Sequence, residues 1–194
     1  MSGGLGPRTL TGQFIALEPL EERHRDGLRN AASDPAIWEF LPIIGSSEFD
    51  IWWDLARSEP NRITFVVRRQ ADGAIIGSTS YLANVSTHSR VEIGWTWYIR
   101  QAQGSTVNPE AKLLLLQNAF DEAGYNRVEL KTDSRNSRSN AAIRKLGARE
   151  EGVMREHMWM PAGYWRDTIM YSILKNEWPE VKQALIKRLQ NEPT

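Results

Sequence analysis

The sequence predicts one α+β domain, and three observations carry that prediction. Strand-like segments between residues 63 and 99 are punctuated by Asp72-Gly73, a strong hairpin signal. A second strand pair, 153–160 and 164–174, is joined across Pro161-Ala162-Gly163. Between these two groups a glycine-bearing loop opens onto the best-defined helix of the chain.

Taken in order, residues 1–8 read as a loose tail and 13–17 as a first strand. Residues 21–32 read as a helix charged on one side, broken by Asp34-Pro35. Ser46 or Ser47 caps a second helix that runs through Arg57 and ends at Glu59-Pro60. Strands follow at 63–69, 74–85 and 91–99, the last interrupted by Gly94. A glycine inside a strand marks a bulge or a close backbone approach. The central helix takes Asn108 as N-cap, Pro109 in its first turn and Gly124 as its stop, with Leu113, Leu116, Phe120 and Ala123 at helical spacing. Residues 127–132 alternate as a strand, and Asn136 or Ser137 caps a short helix ending at Leu146-Gly147. After the late hairpin, a last helix starts near Asn176 and carries Trp178, Val181, Leu185 and Leu189 on one face. The domain is expected to span 9–190, with no repeat, low-complexity segment or internal linker.

The 194 residues suffice for a proper core. Lys plus Arg and Asp plus Glu each number 24, so net charge is zero. That argues against a broad electrostatic grip on nucleic acid or membrane, and fits poorly with a dedicated grip on one highly basic protein, which a local acidic patch could still supply. The absence of cysteine excludes disulfides, cysteine-ligated metal and a cysteine nucleophile. Neither a secretory signal nor an apolar run of membrane length is evident, so a cytoplasmic location is expected. His24, His88 and His157 have no metal-ligand spacing, and no metal is expected. Each is read as structural or exposed. Trp52 and Trp53 cannot both face inward on one helix, so one is expected to be exposed or in an interface; a homodimer is left open.

The stretch YIRQAQGSTVNPEAKLLLLQNAF, residues 98–120, runs from strand through loop into helix. A helix start with free N–H groups and the positive end of its dipole suits an anion such as phosphate. Further on, NSRSNAAIRKLGAREEGV, residues 136–153, opens a short helix after a strand. Together these resemble the GNAT superfamily of acyl-CoA-dependent N-acetyltransferases, in the RimJ/RimL-like branch, over residues 11–174. The family's phosphate loop, Gln/Arg-x-x-Gly-x-Gly/Ala, is matched by Gln101, Gly104 and, with a departure, Thr106. Threonine resists positive φ, so a stiffer or shifted loop is expected there. The second motif is matched by Asn136, Ser139, Lys145 and Gly147, but Ile143 stands where many members carry a tyrosine that protonates the leaving thiolate.

The resemblance implies a GNAT fold: a mixed, mostly antiparallel sheet of six to seven strands flanked by helices, splayed between the fourth and fifth. It implies acetyl-CoA as acyl donor and direct attack by a primary amine, from a protein or peptide N-terminus, a ribosomal protein, or a small amine or amino acid. Trp97, Tyr98 and Ile99 would line the pantetheine arm. Gln101, Gln103, Gly104, Ser105, Thr106, Val107 and Asn108 would hold the pyrophosphate, with Asn136, Ser139 and Lys145 completing the cofactor site. Glu92 is the candidate base; the plainer reading is a strand carboxylate paired with Arg90 or a neighbouring strand. Ser139 is the nearest hydroxyl for the departing sulfur, or simply a small polar residue in a first helical turn. Trp38, Tyr81, Trp95 and Trp159 are candidates for the acceptor wall, since such rings bind flat or cationic groups. Arg166 and Asp167 are expected to pair and hold the late hairpin. Ile143 and Thr106 keep a second reading open, a non-catalytic CoA-binding or regulatory module on the same fold. Amine-stimulated turnover of acetyl-CoA separates the two.

Overall fold

A computed structural model describes residues 4–43 and 49–191. Eight strands form one sheet: β1 (Leu10–Thr11), β2 (Ile15–Pro19), β3 (Ile63–Arg69), β4 (Ile75–Val85), β5 (Arg90–Tyr98), β6 (Arg127–Asp133), β7 (Arg149–Met160) and β8 (Tyr164–Leu174). Their order is β1-β2-β3-β4-β5-β6-β8-β7. Every neighbouring pair is antiparallel except β5 with β6, which the helix between them joins in parallel. The strand beyond the six to seven expected is the two-residue β1, which turns back at Gly12. Leu5 packs on the core and Arg8 reaches Glu122 at 3.6 Å.

Among the described residues, five α-helices flank the sheet: α1 (Arg25–Ala31), α2 (Phe49–Ser58), α3 (Val107–Gln117), α4 (Ser137–Leu146) and α5 (Trp178–Asn191). The proposed caps of α2, Ser46 and Ser47, lie outside the described residues. The 21–32 helix is in fact a 3-10 turn, Glu22–His24, leading into the shorter α1. Helix α3 starts one residue before Asn108, with Thr106 at its N-cap position. The Asn108 side chain instead accepts from the Tyr98 hydroxyl at 3.3 Å. A π-helical turn, Asn118–Glu122, prolongs α3 towards Gly124. Helix α4 begins as its sequence says: the Asn136 side chain accepts from the Ser139 N–H at 2.9 Å, and Gly147 follows its last turn.

Two apolar clusters divide the interior. The larger joins β2–β6 and β8 to α3 and α5 through residues such as Phe65, Val91, Leu115, Leu116 and Tyr171. The smaller holds Leu28, Trp38, Phe49, Trp52, Trp53, Val66 and Trp97. Both Trp52 and Trp53 are fully buried, against expectation. Trp52 meets Trp38 and Trp97 edge-on. Trp53 stacks on Phe49 while the Arg25 and Arg57 guanidiniums lie over its ring at 5.8 and 5.4 Å. Long arginine stems cover an apolar ring as well as another helix would.

Candidate active site

Strand β5 is the element around which the site is built. It pairs with β6 only at Arg90, Val91 and Glu92. Beyond Glu92 the two strands part: β5 continues on β4 alone, and β6 on β8 alone. The edge of β5 from Ile93 onward therefore turns unpaired backbone groups towards a gap, a ready template for an extended ligand. Opposite Ser78–Ser80, β5 carries one residue too many, and Trp95 takes the strain at φ 48°. Gly94, read as the break, serves space instead. A Cβ there would lie 2.7 Å from Leu82 Cδ1 and 2.9 Å from Glu92 Oε1. The bulge is thus at Trp95, and the glycine makes room for the Glu92 carboxylate.

The gap opens into a cavity of about 540 Å³. Of the cofactor residues expected from the sequence, Trp97, Tyr98, Gln103, Gly104, Asn108, Asn136 and Ser139 line it. Gly104 holds φ at 78°, a conformation that suits glycine. Thr106 sits at φ −63°, so the second loop position needs no glycine and Thr106 causes no distortion. Among the described residues, the N–H groups of Gly104, Ser105 and Thr106 make no hydrogen bond, and they precede the helix dipole. Ser105 spends its hydroxyl on the Ala102 carbonyl at 2.7 Å. Ile99, Gln101, Ser105, Thr106, Val107 and Lys145 lie outside the cavity lining; Gln101 and Lys145 are exposed, Val107 is buried, and the Ile99 N–H is tied to the Ile76 carbonyl.

Glu92 is buried at the fork where the strands part, with Oε2 2.9 Å from Lys131 Nζ. Its partner is on the neighbouring strand; Arg90 pairs with Glu129. Ser139 faces the cavity, and its hydroxyl makes no hydrogen bond among the described residues. Ile143 also lines the cavity and offers no proton. Of the four acceptor-wall aromatics, only Trp95 does so. Tyr81 is corrected outright: it is wholly buried in the main core, where its hydroxyl donates to the Leu115 carbonyl at 2.5 Å and accepts from Asn118. Trp38 is buried behind the wall, its indole N–H on the Ala32 carbonyl, while Ile37 and Phe40 nearby face the cavity. Trp159 is half exposed and packs edge-on to Trp165 at the far end of the late hairpin.

Besides Lys131, three further cations not expected in the site line the cavity. Arg138, on the first turn of α4, donates to the Gln103 side chain, which in turn donates to the Tyr98 carbonyl at 3.1 Å. Lys112, on α3, is 7% exposed and donates to Thr96 Oγ1 at 2.9 Å. Burial without a counter-ion brings its ammonium down to about 7. Its place on the buried stripe of α3, three, four and seven residues before Leu115, Leu116 and Ala119, is the signal that would have found it. The third, Arg166, does not pair with Asp167. The two point to opposite faces of β8, and Asp167 accepts instead from the Glu156 N–H at 2.8 Å.

A forked strand pair, a glycine loop at a helix start and a buried carboxylate at the fork meet at one cavity. Comparison with known proteins shows the family. The family model described as "Acetyltransferase (GNAT) domain" matches residues 15–149. YdaF of Bacillus subtilis, provisionally named a ribosomal N-acetyltransferase, is 31% identical over 107 residues, which is 55% of this chain and 57% of YdaF. A GCN5-related N-acetyltransferase from Brucella melitensis superposes with a TM-score of 0.90 at 29% identity, covering 97% of this chain and 88% of that one. Mycobacterium smegmatis RimJ, solved with CoA-disulfide, shares the fold at a TM-score of 0.76 and 21% identity, covering 96% and 93%. The chain belongs to the GNAT acetyltransferase family, a family of N-acetyltransferase enzymes, and the YdaF match supports the RimJ/RimL-like branch. No helix among the described residues is long and apolar enough to cross a membrane.

Proposed function

We propose that this protein is a cytoplasmic enzyme that moves an acetyl group from acetyl-CoA to a primary amine by direct attack. The observation that carries the reading is the unpaired edge of β5 running from the buried Glu92 to the phosphate loop. The fit to acetyl-CoA rests on that edge and on the free N–H groups of the loop. When bound, acetyl-CoA supplies an activated acetyl thioester.

The protein's own groups have distinct tasks. Backbone groups of β5 beyond Gly94 hold the pantetheine arm, and one N–H polarises the thioester carbonyl. The loop N–H groups and Arg138 hold the pyrophosphate. Glu92 takes the proton of the attacking amine, directly or through water, and the Lys131 ammonium, 2.9 Å from its Oε2, orients the carboxylate. Ser139 and Lys112 are the proton donors for the departing sulfur, since Ile143 has none to give. A Lys112 ammonium near 7 is poised for that transfer at neutral pH.

The test is amine-stimulated release of free CoA from acetyl-CoA. Glu92→Gln is expected to lower turnover by ~10²–10⁴-fold, the usual contribution of a positioned base. The loss is expected to be larger at low pH, where the amine arrives protonated. An unchanged pH profile would remove Glu92 from the role. Tight acetyl-CoA binding without turnover on any amine would favour the non-catalytic module.

A further inference from the structure

Arg166, on β8, is 6% exposed and lines the cavity. Its guanidinium makes no hydrogen bond or ion pair among the described residues, and its Nε is buried without a partner. Arginine stays charged at any ordinary pH, so this is a buried cation awaiting an anion. The carboxylates whose field it feels are already engaged. Asp133 accepts from the Arg135 N–H at 2.8 Å and from the Tyr164 hydroxyl at 2.6 Å. Glu92 is held by Lys131. The other deeply buried arginine side chain, Arg62, is matched differently: it pairs with Glu59 at 3.0 Å and lies over the Trp95 ring.

The position of Arg166 selects the ligand. It lines the same cavity as Glu92, close enough to feel that carboxylate's charge, and lies across from Met158, another lining residue, on the β8–β7 ladder; in the reading above, Arg138 and the phosphate loop serve the donor. A guanidinium takes a carboxylate through two parallel hydrogen bonds. Glu92 takes the amine. Resting on the acetyltransferase reading above, we propose that the acceptor is an amino acid, whose carboxylate binds Arg166 while its amine faces Glu92. A peptide N-terminus or a polyamine lacks that adjacent carboxylate and leaves Arg166 unpaired.

The experiment compares common amino acids with their carboxamides, as matched pairs, with the full-length protein and acetyl-CoA. At least one acid is expected to exceed its amide in kcat/KM by roughly tenfold or more, the worth of a charge-assisted pair. Calorimetric titration of that acid onto the CoA-loaded protein is expected to give binding that Arg166→Met abolishes and Arg166→Lys restores in part. Amides used as well as acids by the wild type would overturn the inference, whether or not the variants fold. So would a loss of acetyl-CoA affinity in Arg166→Met as large as the loss for the acid, which would put Arg166 on the donor side. Acetylation of amides or uncharged amines alone defeats this inference and leaves the acetyltransferase standing. Failure of the wild type to bind acetyl-CoA defeats both.

Discussion

Glu110 and Lys112 stand two residues apart on α3, both buried, and they are satisfied in opposite ways. The Glu110 carboxylate accepts from three backbone N–H groups, Gln13 at 2.6 Å and Phe14 and Ile15 at 2.8 Å. It is a clasp that pins the start of β2 to the helix, and Gly12 leaves room for it. A Cβ on Gly12 would sit 2.5 Å from Glu110 Cδ. Lys112 has one hydroxyl, Thr96 Oγ1, itself bonded to Thr79 Oγ1 at 2.7 Å, and no carboxylate. A charge that folding has fully matched is architecture. A charge buried with little to match it, facing a cavity, is held ready for a ligand or a proton.

The largest effect that would sharpen this contrast is on stability. Removing the clasp in Glu110→Ala strands three N–H groups and is expected to cost on the order of 3 kcal/mol or more. Chemical denaturation would measure it, and a loss within error of zero would mean that the clasp is dispensable. Lys112→Met should do the reverse. Between the folded value of about 7 and the ordinary 10.5, the unfolded chain binds more protons than the folded one, so wild-type stability rises with pH across that window. The rise is at most about 1.4 kcal/mol for each step of one in pH. The variant is therefore expected to melt higher than wild type at pH 7 and to lose that advantage as pH rises towards 10. Its turnover should fall at the same time. A variant that is less stable at neutral pH would show that Lys112 is matched after all. The smallest effect is expected at the helix start itself. Thr106 makes no capping hydrogen bond and already has helical φ. Thr106→Gly should change stability by only a few tenths of a kcal/mol and leave acetyl-CoA affinity within about twofold. A large gain in affinity would show that threonine does distort the loop.

The contrast also marks what the sequence could reveal. The Asp72-Gly73 hairpin, the Asn136 cap and the Gly104 turn were legible because each is decided within four or five residues. The parting of β5 from β6 followed from resemblance, and the bulge fell one residue beyond the glycine that announced it. Burial across the fold was not legible. Trp52 and Trp53 were misread because arginines from two helices cover the second ring. Tyr81 was misread because an aromatic on a central strand gives no sign of which face it takes. Lys112 went unassigned, and Arg166 was given to Asp167, for the same reason. Their importance lies in partners they lack, and a lack is visible only in three dimensions.

Every role assigned to these residues depends on the gap between β5 and β6 being an acyl-CoA site. Calorimetric titration of the purified protein with acetyl-CoA tests that most directly. Saturable binding in the micromolar range, the scale on which such enzymes meet their substrates, is predicted. No heat of binding at millimolar acetyl-CoA would contradict it, and the roles given to Glu92, Ser139 and Lys112 would fall together.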